Sequence, residues 1–210
     1  MLQKITDIEA YLIHSLMEKA GFFEEQSRDQ EIIVIPDNQI LTEKRQGVTL
    51  SDCQYAGKTI SQGLLSNNTG IYSNKSGNRN IVRALADMYK DAAESETDYE
   101  RTQHLQLLGN AALIQSSIFQ ERSKKSITGL SYYHEMGKTA FGILGDNSND
   151  PTFQNMAEDF THVADLCLEA LGSNGTLTNE DALKQLAKKV SGAKQKSSHT
   201  TAVTIGKHLH

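Results

Sequence analysis

Gly-Lys-Thr occurs twice, at Gly57-Lys58-Thr59 and at Gly137-Lys138-Thr139. A loop that cradles phosphate needs another glycine five positions earlier, and a strand before it. Those positions hold Asp52 and Tyr132. Both triplets also fall in helical patterns, where backbone amides are already bonded and cannot wrap a phosphate. Neither triplet therefore predicts nucleotide hydrolysis.

Histidine next to carboxylate is the second chemical signal. A di-metal bundle uses Glu-x-x-His on two helices and two further glutamates. Here Glu100/His104 and Glu158/His162 are spaced four apart, not three, and Asp159/His162 has the right spacing but no twin. His104, His162, Glu100 and Glu158 are the weak metal candidates this leaves. The phase of His162 puts it on a solvated charged face, and His134 and Glu135 fall off the apolar stripe and read as exposed. Near the C-terminus, His208 and His210 could hold only a stray metal. Ser116-Ser117 lies between Ile114 and Ile118 with no evident base, and no Gly-x-Ser-x-Gly elbow or Gly-x-Gly-x-x-Gly turn exists. No catalytic set and no cofactor are predicted. Cys53 and Cys167 stand far apart in apolar segments without a Cys-x-x-Cys, so they read as buried free thiols.

The elements that would position such groups are helices. Ile5, Ile8, Leu12, Leu16 and Ala20 repeat at three to four residues and predict a helix over 5–22, with Thr6 and Glu9 as its capping box. Ser51 caps a second helix, 51–65. A third, 81–95, has Val82, Leu85, Ala86 and Tyr89 on one face. A long fourth, 97–121, has Leu105, Leu108, Ala112 and Phe119 as its stripe. A fifth covers 130–144. Asp150-Pro151 opens a sixth that runs to Leu171 and closes at Gly172–Gly175. Thr178 with Asp181 caps the last, to about Val190.

Two stretches break the pattern. Residues 31–42 (EIIVIPDNQILT) read as a small hairpin or extended arm, and 66–80 as an Asn/Ser/Gly loop. An isolated hairpin is marginal in water, so the arm needs a helix or another chain to cover it. The fold class is all-α: a bundle or array of six to seven helices in one domain, 1–191. Residues 192–210 have no apolar period and read as a disordered tail.

Two runs carry a family resemblance: LGNAALIQSSIFQERSKKSI (108–127) and GLSYYHEMGKTAFGIL (129–144). The pattern is Leu-Gly-Asp/Asn, a small apolar run, a Phe, then Tyr-Tyr-x-x-Met-Gly-x-x-Ala-Tyr/Phe. With these, residues 104–171 resemble a family of uncharacterised bacterial all-helical proteins. The resemblance covers about a third of the chain and implies a helical bacterial cytoplasmic protein. It implies no activity and brings no catalytic residues. Physically the motif reads as helix packing through Gly109, Gly137 and Gly142. Alternatively it reads as an interhelical pocket lined by Tyr132, Tyr133, Met136 and Phe141, with a tyrosine hydroxyl facing in.

Composition narrows the function classes. The formal charge is −5, but every acidic residue lies at or before Asp181 and six lysines follow it. The body is thus strongly acidic, which argues against nucleic acid as a partner. The lysine-rich end lacks aromatics for stacking bases, though it could touch an acidic surface. Lys4, Asp7, Glu9, His14 and Glu18 interrupt any apolar run at the start, so no signal peptide is predicted. No membrane span is expected either. The leading expectation is a cytoplasmic protein–protein interaction or adaptor module acting on a protein partner or a second copy. The alternative is a ligand binder or enzyme with a pocket at the tyrosine motif.

Overall fold

The computed structural model describes residues 2–22, 44–65, 78–172 and 183–192. They form α1 (Leu2–Lys19), α2 (Leu50–Leu65), α3 (Asn78–Glu94), α4 (Asp98–Ser117), α5 (Gln120–Lys124), α6 (Gly129–Asn147), α7 (Pro151–Glu158), α8 (Phe160–Leu171) and α9 (183–192). The fold is all-α. Among the described residues the only β-type pairing is the isolated bridge between Arg45 and Val48. The expected arm (31–42), most of the loop (66–77), the cap of the last helix and the tail (193–210) lie outside the described residues. Asn78–Asn80, expected in the loop, belong to α3.

The centre of the molecule is α4. It packs on α2, α3, α6 and α8, and residues 111–120 are buried without a gap. A helix usually buries one stripe, and only a helix enclosed by neighbours hides every side. α1 pairs with α2, and α6 with α7. Of the apolar stripe predicted for α1, Ile8, Leu12, Leu16 and Ala20 lie in the core, and the Ile5 side chain lies outside the description.

Several boundaries differ from the sequence reading, each for a local reason. Thr6 sits inside α1, not at its cap. The cap of α2 is Thr49, not Ser51. Its amide donates to Asp52 Oδ2 at 2.7 Å, while the Asp52 amide donates to Thr49 Oγ1 at 3.2 Å. That is a capping box with a shorter acid. Asp150 caps α7 at the expected start, and Thr97, expected as the first residue of its helix, is the cap of α4. α8 ends at Gly172, whose φ of 60° suits a residue without Cβ.

The expected 97–121 helix is divided. Ser123 Oγ donates to the Gln115 carbonyl at 2.9 Å, the acceptor that the Phe119 amide would use in a continuous helix. The Phe119 amide turns to Ile114 O instead, at 3.4 Å. An apolar stripe running through the break hides such a swap from periodicity. The expected 151–171 helix bends at Asp159. Lys44 holds both carboxylates there, Asp159 at 2.8 Å and Glu158 at 3.1 Å.

On α3 the inward residues are Leu85 and Ala92, with Met88 half-buried beside them; of the expected face Leu85 is buried, and the Val82 side chain lies outside the description. Ala86 and Tyr89 face solvent.

Candidate functional site

The tyrosine motif lies on α6, and its two halves do different things. Phe141 is fully buried in an aromatic cluster. Its ring centroid is 5.7 Å from Tyr55 edge-on, 6.2 Å from Phe153 stacked, and 6.0 Å from Phe160. Edge-on and offset rings at these spacings attract beyond their burial. Two glycines make room for the cluster. A Cβ on Gly137 would overlap the Phe160 ring, and one on Gly109 would lie 2.8 Å from Phe141 Cζ. Met136 packs half-buried against the same core.

Tyr133 is also fully buried, with its ring edge-on to Tyr132 at 5.5 Å. Its hydroxyl finds no hydrogen-bond partner among the described residues. Burial pushes the half-buried Tyr132 phenol above the usual tyrosine range. Of the four residues expected to line a pocket, only Tyr133 therefore brings an unanswered polar group.

That group has company at the junction of α4, α5 and α6. Gln115 and Ser116 are fully buried, and Gln115 Nε2 and Ser116 Oγ also lack partners among the described residues. The half-buried Arg122 donates from Nη2 to Gln115 Oε1 at 3.1 Å, and its Cζ lies 4.2 Å over the Phe119 ring. Burial lowers its pKa, and Tyr133 lies within its electrostatic reach. On the α8 side, Gln120 Nε2 donates to Asp165 Oδ1 at 3.0 Å. The sequence reading missed Gln115, Gln120 and Arg122. Its one signal was polar residues in the middle of an apolar helical run.

The histidines sit deeper than their phase implied. His134 was expected to be exposed. It is half-buried against Phe160, with ring centroids 6.0 Å apart, and burial lowers its pKa. His162, expected on a solvated face, is half-buried because the turn at Gly47 packs over it. Nε2 of each lacks a partner among the described residues. Glu135 is exposed as read.

The metal candidates are scattered over separate roles. Glu100 is exposed and serves the Thr97 cap, His104 is half-buried on α4, and Glu158 pairs with Lys44. Among the described residues no three His, Cys, Asp or Glu side chains are grouped to hold an ion. Both Gly-Lys-Thr triplets lie inside helices, α2 and α6. Cys53 and Cys167 are free and buried, and burial pushes the Cys53 thiol up to about 12. Such thiols are poor nucleophiles.

A separate open depression of about 440 Å³ lies between α1, α2 and the start of α7. Ile13, Tyr55 and Phe153 line it, with Glu9, Lys58 and Asp150 among its polar groups. None of Tyr132, Tyr133, Met136 or Phe141 reaches it.

Set against models of protein families, curated proteins and solved structures, the chain finds no match in any of the three. Among the described residues no helix is long and apolar enough to cross a membrane.

Proposed function

We propose that the chain is a helical protein–protein interaction module whose contact surface includes the outer face of α3. One observation carries this reading. The apolar sector of α3 is wide, and α4 covers only the half made by Leu85, Met88 and Ala92. Ala86, Tyr89 and Ala93, spaced three and four apart, stay exposed. An apolar stripe at helical spacing suits a partner helix. The partner is a protein or a second copy of the chain. The free buried thiols support a reducing, cytoplasmic setting. Residues 104–171 join this reading as a helical bacterial family of the kind they resemble.

The test uses a photo-crosslinking residue in place of Tyr89, with light scattering of the purified chain. The expected result is one discrete adduct, or a dimer, that disappears in Ala93→Glu. A strict monomer together with no adduct beyond that from an exposed control position, Asp146, would sink the reading.

A second reading, a small-molecule binder or enzyme with an interhelical pocket, draws on the unanswered Tyr133 hydroxyl.

A further inference from the structure

We infer that the depression between α1, α2 and the start of α7 binds a free α-amino acid with an apolar side chain, its carboxylate on Lys58 and its ammonium between Glu9 and Asp150. The site is separate from the interaction surface of α3. Three charged side chains line this one void of about 440 Å³. The charged ends of Glu9 and Lys58 have no partner among the described residues, and they do not pair with each other.

Helix packing brings these charges to the same place. Gly57 lets α1 and α2 meet almost backbone to backbone. A Cβ there would lie 2.6 Å from Ile13 Cγ1 and 3.1 Å from the Ile13 amide nitrogen. Glu9 stands one helical turn before Ile13, and Lys58 directly follows Gly57, so the two charges flank one contact. Asp150 comes from the third wall. Its Oδ1 accepts the Thr152 amide at 2.9 Å, which orients the carboxylate and leaves Oδ2 without a partner among the described residues.

The floor of the depression is apolar and held from below. Phe153 and Tyr55 meet edge-on at 5.6 Å, and Phe153 stacks on Phe141. Tyr55 Oη donates to Asn110 Oδ1 at 2.8 Å. Ile13 adds a half-buried apolar side. Rings fixed before a ligand arrives lose little freedom when it binds.

The chemistry of the ligand follows from which charges are unspent. An anion alone would meet one ammonium and two carboxylates. It would find no amide at the start of α7 either. Pro151 has none, and the Thr152 and Phe153 amides donate to Asp150. A cation alone would meet the two acids but also Lys58. A molecule that carries both charges on one carbon, beside an apolar side chain, answers all three groups and the floor. The void lies toward the small end of the range of about 300–1,000 Å³ usual for ligand sites, which suits an amino acid.

The experiment is a titration of the full-length chain with L-phenylalanine at about pH 6, where its α-amine is charged. It is followed by NMR at the Ile13 and Thr152 methyls. Two further probes each lack one charge. L-phenylalaninamide also stands for a peptide N-terminus, and N-acetyl-L-phenylalanine for a C-terminus. Saturable shifts are expected with L-phenylalanine, and binding at least fivefold weaker with each of the other two. Lys58→Met should weaken L-phenylalanine to the level of the amide without weakening the amide. Glu9→Gln should weaken L-phenylalanine without weakening N-acetyl-L-phenylalanine. Lys125→Met, at an exposed side chain outside the depression, should bind as the parent does. Shifts that stay linear to about 10 mM, equally tight binding of either one-charge probe, or unchanged affinity in Lys58→Met would overturn the site.

Discussion

α4 and α6 run side by side, and their two ends are built from opposite materials. At the Gly109–Phe141 end the contact is aromatic and closed. Phe141, Phe153, Phe160 and Tyr55 fill the space, and glycines 109 and 137 admit the rings. At the Ser116–Tyr133 end the contact is equally buried but polar, with Gln115, Ser116 and Tyr133 each carrying an unanswered donor. The first end is what holds a bundle together, since apolar burial needs no partner of defined geometry. The second end costs free energy in the isolated chain. A polar end kept inside a fold that could have been apolar asks for a role beyond stability.

Substitutions can break that contrast. The largest effect is expected at the aromatic end. Phe141→Ala should lose about 3–5 kcal/mol, because the three rings in contact with it cannot collapse around the cavity. Urea unfolding monitored by circular dichroism checks this. A loss under 1 kcal/mol would mean that the cluster is not the stabilising end.

A smaller effect separates packing from propensity. Helix propensity alone predicts that Gly→Ala stabilises both Gly137 and Gly142 by up to about 1 kcal/mol. The structure predicts opposite signs. Gly137→Ala drives a methyl into the Phe160 ring and should cost about 1–3 kcal/mol. At Gly142 the nearest neighbour of the added methyl is Ala157 Cβ at 3.9 Å, so that variant should be at least as stable as the parent. Paired thermal melts read the difference, and equal shifts would contradict the packing.

The smallest effect sharpens the polar end. Burial, the leading cause, lowers the His134 pKa from its usual 6.5, against Asp165 and Glu135, which raise it. A depressed histidine favours the neutral ring in the fold. Its contribution is present above pH 6.5 and is lost as pH falls through the lower folded value. The parent should therefore lose more melting temperature than His134→Gln between pH 7.5 and pH 5.5. Identical slopes would show that His134 feels no burial.

Much of the fold was legible because apolar spacing is local. The stripes of α1 and α4, the helix start at Asp150-Pro151, and the stop at Gly172 all follow from residues within a turn or two of each other. What was illegible depended on distant residues. Ser123 takes the Gln115 carbonyl and ends α4. Lys44 reaches Asp159, more than a hundred positions away, at the bend between α7 and α8. On α3 Leu85 is buried as expected but Ala86 and Tyr89 are exposed, because periodicity shows a wide apolar sector and not which half a neighbour will cover.

The candidate site divides in the same way. The tyrosine pair and the glycines stood out as types at suggestive spacing. Their separation into a closed aromatic end and a donor-rich end did not, since a helical wheel gives Tyr133 and Phe141 similar phases. The sequence by itself determined the helices, the class and the acidic body, all of which rest on composition and short-range order. Only the tertiary structure decided that Arg122 locks Gln115 beside Tyr133. That depends on how α5 folds back across the end of α4, and the contacts responsible are set by burial and by competing hydrogen bonds.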